Sequence, residues 1–388
     1  MQIGVDNFCG KRLEQAMEFR MIGKANLAEQ IHVYPSTITK YLNGDARPKS
    51  DNFVKIYQVL GFPAAFFTKE TKQISIDAQS PKLWRSFASA KKAARMRGEV
   101  VLDWQVELWN HFNGIFNLPR FDLEHLQIKN PEFEAISYDQ IDSLALQVRQ
   151  HWGIGQTPIR NLVRHMERSG IVVNSVNLMV QKLDAVSTIR ESVPYVLLNS
   201  FEHASARSRF DAAHELGHIL LHSQVGKKGL TEDGFRILED QAHYFASSLL
   251  LPEEAFLRDL WAPTMKCFVE LKSKWVASIQ AMMRRALSLK AITQAQYGYL
   301  NIAVSKKHWR KSEPLDDTLK VEEPRLFAKC LERLSNEKGV RPEEVINDIR
   351  LPIDVAAQIF AVDYAYFQGD QGSELSNVVT FKREEEQS

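Results

Sequence analysis

Cysteines, long apolar segments and targeting signals are scarce or missing in this chain. Its 388 residues include only three cysteines, which are widely scattered and lack the spacing of metal ligands: Cys9, Cys267 and Cys330. Such usage argues against a disulfide-stabilised secreted protein. No apolar run approaches the roughly 18 residues that a membrane span requires, and the N-terminus has no signal-peptide pattern. We therefore expect a cytoplasmic protein that has no membrane contact.

An excess of charge of one sign is absent as well. Lysines and arginines number 49 against 48 acidic residues, which gives a formal net charge of +1. Any surface for nucleic acid must therefore be local. With 44% hydrophobic and 25% charged residues, the composition is that of a globular protein. A length of 388 residues predicts two or three domains rather than a single core.

The most informative motif is the pentapeptide from His214 to His218, His-Glu-Leu-Gly-His. Residues 207–213 contain neither proline nor glycine, so a helix can run unbroken into the motif. On a helix, residues four apart lie on one face, so both imidazoles can reach one metal ion. Glu215 can then take a proton from the water that the metal activates. The motif therefore predicts a hydrolytic metal site together with its general base.

A third ligand is expected, because a catalytic zinc typically has three protein ligands and one open position. Residues 239–252 predict a second helix, in which Glu239, Ala242 and Ala246 lie along one stripe. The small alanine side chains would let this helix approach the first one closely. We therefore predict Glu239 as the third ligand. Two imidazoles and a carboxylate suit Zn²⁺, and they also accommodate Mn²⁺ or Fe²⁺.

Two further histidines leave alternatives open around this site. His243 lies one turn after Glu239, where it could compete as a ligand or orient one of the ligands through a hydrogen bond. His222 follows His218 by four residues, but the rotation of an α-helix carries it roughly 80° from His214. It would then either support a ligand from behind or lie on the helix surface. Both histidines are also candidates for stabilising the oxyanion of the reaction.

Three β-rich segments precede the metal motif, at residues 171–176, 185–189 and 195–199. They predict a small sheet, and one edge of that sheet could hold an extended peptide by strand addition. A sheet, a histidine helix and a glutamate helix, in that order, form the minimum scaffold of a zincin-type protease. Because helical patterns dominate elsewhere, we predict a mainly α protein with a small β-sheet, in the α+β class.

The N-terminal region predicts a helix-turn-helix. Residues 24–31 form an amphipathic helix, a brief turn follows, and Pro35 opens a second helix that stops at Asn43-Gly44. Polar side chains of the second helix would face the major groove or the flanking phosphates of double-stranded DNA, and two cations follow in the loop. Two half-sites would suit a homodimer. The candidate DNA contacts are Ser36, Thr37, Thr39, Lys40, Arg47 and Lys49.

We divide the chain into four segments. Residues 1–68 form the predicted helix-turn-helix domain, 69–139 a helical linker, 140–315 the metallopeptidase-like domain, and 316–388 a C-terminal helical module with a polar tail. The linker contains a basic stretch at 81–97 that has lysines and arginines but no acidic residue. This stretch predicts a nucleic-acid contact or, as the simpler interpretation, a solvated basic helix face.

Together these motifs resemble the ImmA/IrrE family of metallo-endopeptidases, in the arrangement in which an Xre-type helix-turn-helix precedes the peptidase. The segment 209–218, Arg-Phe-Asp-Ala-Ala-His-Glu-Leu-Gly-His, is similar to the family signature, and so is Glu-x-x-Ala-x-x-Phe-Ala at 239–246. Residues 274–285 look like a later part of the family pattern, and residues 27–48 are similar to the Xre class.

The resemblance implies His214, His218 and Glu239 as metal ligands and Glu215 as the general base. It also implies a substrate class, a protein such as a DNA-binding repressor that is cut to switch on genes. One position departs from the family pattern, because His243 stands where asparagine or aspartate is usual.

We therefore expect a zinc-dependent endopeptidase fused to a DNA-binding domain, which cleaves a regulatory protein and so controls gene expression. The alternative is a DNA-binding regulator or antitoxin that acts through DNA and a partner protein such as a toxin, with a structural or sensory metal site. Specific, salt-sensitive DNA binding would favour the regulator, and cleavage of a partner would favour the protease. The presence of Glu215 argues against a peptidase fold retained only as a scaffold.

Overall fold

The computed structural model describes residues 4–71, 92–179, 184–201, 204–225 and 231–368. These residues are mainly helical and include one three-stranded sheet, so the predicted fold class is confirmed. Within these ranges, no helix is both long and apolar enough to cross a membrane. Most of the basic stretch predicted at 81–97 lies outside the described residues.

The elements follow one another as helices, then a short sheet, then helices again. The α-helices are α1 (Gly10–Phe19), α2 (Lys24–Gln30), α3 (Pro35–Asn43), α4 (Ser50–Leu60), α5 (Lys92–Asn113), α6 (Tyr138–His151), α7 (Leu162–Arg168), α8 (Ser205–Gly217), α9 (Glu232–Leu250), α10 (Glu253–Asp259), α11 (Met265–Trp275), α12 (Ile279–Ser288), α13 (Gln294–Lys306), α14 (Leu326–Lys338), α15 (Pro342–Ile349) and α16 (Ile353–Phe360). The strands are β1 (Val172–Val176), β2 (Ala185–Arg190) and β3 (Val193–Asn199). Single 3₁₀ turns cover Ala64–Thr68, Glu124–Leu126 and Tyr364–Gln368, and a π-helical turn covers His218–His222.

The described residues form two compact units, and the first is built from three separate parts of the sequence. It contains residues 4–71, 92–117 and 325–368, and the second unit contains the described residues of 118–324. The units differ from the four predicted segments: the C-terminal helices α14 to α16 share a unit with α1 to α4. The predicted linker is likewise divided, because α5 lies in the first unit.

Aromatic packing explains why these distant segments share the first unit. Trp104 of α5 lies against Phe19 of α1, with ring centroids 5.1 Å apart, and Phe112 of α5 lies 5.9 Å from Phe360 of α16. Arg97, at the end of the predicted basic stretch, is buried with its guanidinium 3.9 Å from the Phe19 ring centroid. The interpretation of a solvated basic face is therefore wrong at this residue, because an aromatic core covers it.

The sheet of the second unit has the strand order β1-β3-β2, with β1 parallel and β2 antiparallel to β3. Glu191 and Ser192 join β2 to β3 with φ values of 52° and 64°, as a two-residue hairpin requires. The three predicted strands are confirmed to within two residues at their ends. Helix α8 packs on β2 and β3, α9 packs on α8, and α6 packs on α9. This layering places the metal motif between the sheet and α9.

Candidate metal centre

Helices α8 and α9 bring His214, His218 and Glu239 together. The His214 and His218 Nε2 atoms are 2.9 Å apart, and each lies 3.5 Å from an oxygen of the Glu239 carboxylate. His, Cys, Asp and Glu side chains that could jointly hold an ion form one such group in the described chain, and it consists of these three residues. The structure therefore brings together the three residues that the sequence predicts as ligands.

Buried arginine contacts hold α8 in place. The Arg209 guanidinium lies five residues before His214 and is 2% exposed. It donates hydrogen bonds to the carbonyls of Ile159 and Trp275 and pairs with Glu322 at 2.6 Å. Burial of a charge is tolerated only when such partners compensate for lost hydration. The contacts therefore fix the position of the helix that carries both histidines.

A second network fixes α9 through Asp142 of α6. The Asp142 carboxylate accepts hydrogen bonds from Tyr244 Oη at 2.6 Å, from Ser248 Oγ at 2.5 Å and from the buried Arg285 guanidinium at 2.8 Å. Burial and the Asp142 hydrogen bond raise the pKa of Tyr244 to about 12, so its hydroxyl stays a donor at neutral pH. The network ties three helices together and so sets the position of Glu239 relative to α8.

A hydrogen-bonded chain runs from His218 away from the three-residue group. His218 Nδ1 lies 3.0 Å from His222 Nδ1, and His222 Nε2 lies 3.0 Å from Gln241 Oε1. Gln241 Nε2 in turn donates to the Ile136 carbonyl at 3.0 Å. His222 is fully buried and its neighbour His218 disfavours a second charge, so the pKa of His222 lies well below its usual value.

The hydrogen bond from Gln241 to the Ile136 carbonyl determines which nitrogen atoms of His222 and His218 carry hydrogen. Because the Gln241 amide nitrogen donates to a carbonyl, Oε1 must accept, and His222 Nε2 must carry hydrogen. Neutral His222 then has a bare Nδ1, which accepts from His218 Nδ1–H. His218 Nε2 is left with its lone pair directed to Glu239 and His214. This is the tautomer that a metal ligand needs.

The π-helical turn at His218–His222 explains why His222 reaches this position. The rotation of a regular α-helix would carry residue 222 away from the face of His214. A π turn contains more residues and rotates less per residue, so His222 returns toward the face of His218. His222 is therefore not on the helix surface. Because it is fully buried on the Nδ1 side of His218, away from the Nε2 atom that faces Glu239, it is also not positioned to stabilise an oxyanion.

Opposite charges stabilise each other within the three-residue group. Burial disfavours the charged form of His214, but the hydrogen bond that His214 donates to Glu239 and the nearby charge of Glu215 outweigh it and raise the pKa of His214 above its usual value. Burial likewise acts to raise the pKa of Glu239, yet the hydrogen bond that it accepts from His214 holds this pKa far below its usual range. A metal cation in place of the proton between His214 and Glu239 would be stabilised by the same carboxylate.

Glu215 lies beside this group on α8 and is 4% exposed. Its Oε2 atom is buried and has no hydrogen-bond partner among the described residues. An unpaired buried carboxylate oxygen is costly unless a water or another donor completes it. Such an oxygen is what a general base for water requires.

His243 lies next to the centre but outside the three-residue group. Its ring centroid is 4.5 Å from that of His214, and its ring stacks on Phe210 at 5.7 Å. Burial, followed by the charge of His214, lowers the pKa of His243 to about 4. The residue therefore forms a neutral aromatic wall beside His214.

The donor set fits a zinc ion. Ligand atoms at about 2.0–2.1 Å from a tetrahedral zinc lie roughly 3.3 Å from one another, close to the 2.9 and 3.5 Å between the nitrogen and oxygen atoms here. Two neutral imidazoles and one carboxylate match a catalytic zinc site that keeps a position open for water.

Comparison with protein families supports the same chemistry. Residues 166–287 match the model of the IrrE N-terminal-like domain, Peptidase_M78. The second unit thus contains a segment that is similar to this peptidase domain. The matched segment runs from α7 to α12 and includes the three-residue group, Glu215, His222 and His243. No curated protein sequence matches the chain significantly.

The candidate DNA contacts all lie in the first unit, on or after α3. Ser36, Lys40 and Lys49 are exposed, whereas Thr39 Oγ1 is bonded to the Pro35 carbonyl at 3.3 Å. Arg47 is half-buried and pairs with Asp6 at 3.2 Å. Thr37 is half-buried as well. The structure thus leaves three of the six predicted contacts openly accessible.

The groups that support the candidate ligands were not predicted from the sequence. Asp142 and the Ile136 carbonyl lie about a hundred residues before α9 in sequence, and no local pattern links them to it. Gln241 is the exception, because it lies two residues after Glu239 in the sequence. That position is a signal that its amide could form a hydrogen bond with a histidine near the site. The HExxH spacing itself gives no signal for a π turn.

Proposed function

We propose that the second unit is a zinc-dependent endopeptidase. The observation that carries this proposal is the convergence of His214, His218 and Glu239 beside the buried, unpaired carboxylate oxygen of Glu215. The match of residues 166–287 to a peptidase family supports it.

The residues divide the chemical work between them. A bound zinc ion would polarise the scissile carbonyl and acidify the attacking water. Glu215 takes the proton of that water and later passes it to the leaving amine. Glu239, His214 and His218 would hold the ion, and the hydrogen bonds through His222 and Gln241 keep His218 in the tautomer that can bind it. His243, beside His214, is the remaining candidate for contact with the oxyanion.

An extended polypeptide suits the surroundings of this centre. Strand β2 is an outer strand of the sheet among the described residues, and it packs directly against α8 and the π turn. A peptide that pairs with an outer strand is held by backbone hydrogen bonds irrespective of its sequence. We therefore infer a protein substrate. Because we expect its cleavage to control gene expression, the substrate class that we propose is a regulatory protein of the repressor type.

Metal content tests the centre directly. Inductively coupled plasma mass spectrometry on purified full-length protein should give about one zinc per chain for the wild type and for Glu215→Gln. His214→Ala and Glu239→Ala should lose the metal while keeping their circular dichroism spectra. A wild type that takes up no metal even after reconstitution would refute the proposal.

Cleavage tests the role of Glu215. Zinc-loaded protein is incubated with a proteome-derived peptide library, and new N-termini are identified by mass spectrometry. Because a general base contributes about 10²–10⁴-fold, Glu215→Gln should reduce cleavage by at least about a hundredfold without loss of zinc. Cleavage at the wild-type rate by this variant would remove Glu215 from the mechanism.

A DNA-binding role for the first unit is the second candidate. Helices α2 and α3 are separated by a four-residue turn, and Ser36, Lys40 and Lys49 are exposed on or after α3. A helix-turn-helix presents its second helix to the major groove in this way. Fluorescence anisotropy with genomic DNA fragments should show binding that weakens steeply as salt rises, and Lys40→Glu with Lys49→Glu should reduce the salt slope. Binding that does not depend on salt would argue against this role.

A further inference from the structure

A cavity of about 320 Å³ lies beside the metal centre in the second unit. Phe210 and His243 line one side of it, and the His243 ring lies 4.5 Å from that of His214. A peptide residue spans about 3.3–3.6 Å, so a side chain adjacent to a peptide bond held at the centre can reach this space. We call it the basic cavity, because arginine and lysine side chains line it.

Cations dominate the charge that faces the basic cavity. Arg207, Arg284, Arg310 and Lys311 all line it, and all four are exposed. Arg310 donates to the Ser305 hydroxyl, a neutral partner, at 2.8 Å. Arg284 and Lys311 have no carboxylate partner in the described part of the chain. Two cations of this cavity are therefore available to pair with an incoming anion.

The two carboxylates in the lining do not cancel this charge, because they are already paired elsewhere. Glu313 and Asp316 both accept from the buried Lys272 ammonium, at 2.8 and 2.6 Å. Glu313 also accepts from the backbone nitrogens of Ile279 and Gln280, at the start of α12. Lys272 and the helix terminus therefore offset most of the negative charge of these two carboxylates.

We propose that the basic cavity binds an acidic side chain of the substrate, next to the peptide bond that is cut. This inference rests on the proposed endopeptidase function, and it adds the class of side chain selected. A volume of about 320 Å³ is at the small end of ligand sites, which suits one side chain rather than a whole peptide segment. Arginine forks pair with carboxylates in a geometry that a neutral side chain does not satisfy.

Binding of small hydroxamates separates this inference from the metal centre on which it rests. Acetohydroxamate reports the zinc alone. N-acetyl-glutamate α-hydroxamate and N-acetyl-glutamine α-hydroxamate add side chains of the same size that differ in charge, and neither has a free α-carboxylate. Isothermal titration calorimetry on zinc-loaded full-length protein should give a dissociation constant about tenfold lower for the glutamate probe than for the glutamine probe at low salt.

Charge-reversal variants then test which side chains cause the preference for the glutamate probe. Arg284→Glu combined with Lys311→Glu should abolish the difference between the two probes while acetohydroxamate binding stays unchanged. Lys266→Glu, an exposed charge reversal on α11 outside the cavity, should keep the full preference. Equal affinity of both probes for the wild type, or a preference that survives in the double variant, would overturn the inference. Absence of acetohydroxamate binding would instead overturn the metal centre, and the inference with it.

Discussion

His218 and His222 face each other through their Nδ1 atoms at 3.0 Å, inside a π-helical turn. Two neutral histidines so arranged must have opposite tautomers, since one Nδ1 donates and the other accepts. The amide of Gln241 decides the order by accepting from His222 at 3.0 Å. The outcome directs the lone pair of His218 Nε2 to Glu239 and His214, so the fold itself prepares one nitrogen for a metal.

Removal of this support should weaken metal binding without removal of a ligand. His222→Leu deprives His218 Nδ1–H of its acceptor, and we expect zinc affinity to fall by about 10–100-fold. His222→Gln, whose amide oxygen can still accept, should lose less. Competition with a chromophoric chelator measures both values. Equal zinc affinity for wild type and His222→Leu would show that the hydrogen-bonded chain has no part in metal binding.

Metal affinity should also fall at low pH, because the ion pair between His214 and Glu239 favours the protonated form of His214. Glu239 raises the pKa of His214 above its ordinary value of 6.5 despite the opposing effect of burial. Protons and metal compete for His214 Nε2, so affinity is full above this raised pKa and falls as the pH drops through it. The decline should therefore begin above pH 6.5, at about one decade per pH unit for each proton displaced. Chelator competition between pH 8 and 6 checks this, and a flat profile would contradict it.

The periodicity and spacing of the sequence were sufficient to predict the two helices that carry the three candidate metal ligands. The HExxH spacing placed His214 and His218 on one helix face, and the alanine stripe after Glu239 predicted the close approach of α9 to α8. Both inferences depend on residues a few positions apart, where helical geometry is fixed by the chain.

The supporting contacts could not be predicted in this way. Asp142 contacts Tyr244 and Ser248, which lie about a hundred residues later in the sequence. The π turn at His218–His222 depends on the hydrogen-bond partners that His222 has in its buried position. The same limit applies to the compact units, because the contact of Phe112 with Phe360 joins segments that no local pattern connects. Tertiary packing decides such features, and a single sequence does not display it.

Lys272 should be essential for stability rather than for chemistry. Its ammonium is fully buried between Glu313 and Asp316. Lys272→Met would leave two shielded carboxylates without their counter-ion, and we expect the free energy of unfolding to fall by about 3–5 kcal/mol. Lys274→Met is the matched control, because Lys274 on the same helix pairs with Asp259 but is half exposed. Loss of the Lys274–Asp259 ion pair should lower the free energy of unfolding by less than about 1 kcal/mol. Urea denaturation that gave equal losses for both variants would refute the burial argument.

Two helical glycines should respond in opposite directions to the same substitution. A Cβ at Gly217, within the metal motif, would lie 3.3 Å from the Ala242 backbone and 3.0 Å from the Phe245 ring, whereas a Cβ at Gly298 would meet nothing within 4 Å. Gly298→Ala should therefore stabilise the protein by about 0.5–1 kcal/mol, since alanine loses less backbone entropy in a helix.

Gly217→Ala gains the same helix propensity but forces α8 and α9 apart. Overpacking of this kind costs about 1–3 kcal/mol, so we expect a net loss of stability. Ala242 follows Glu239 by one turn, so the displacement should also carry the Glu239 carboxylate away from His214 and weaken zinc binding. Thermal denaturation and chelator competition on the two variants measure both effects. A Gly217→Ala protein as stable as Gly298→Ala, with wild-type zinc affinity, would show that the close approach of these helices does not position the third ligand.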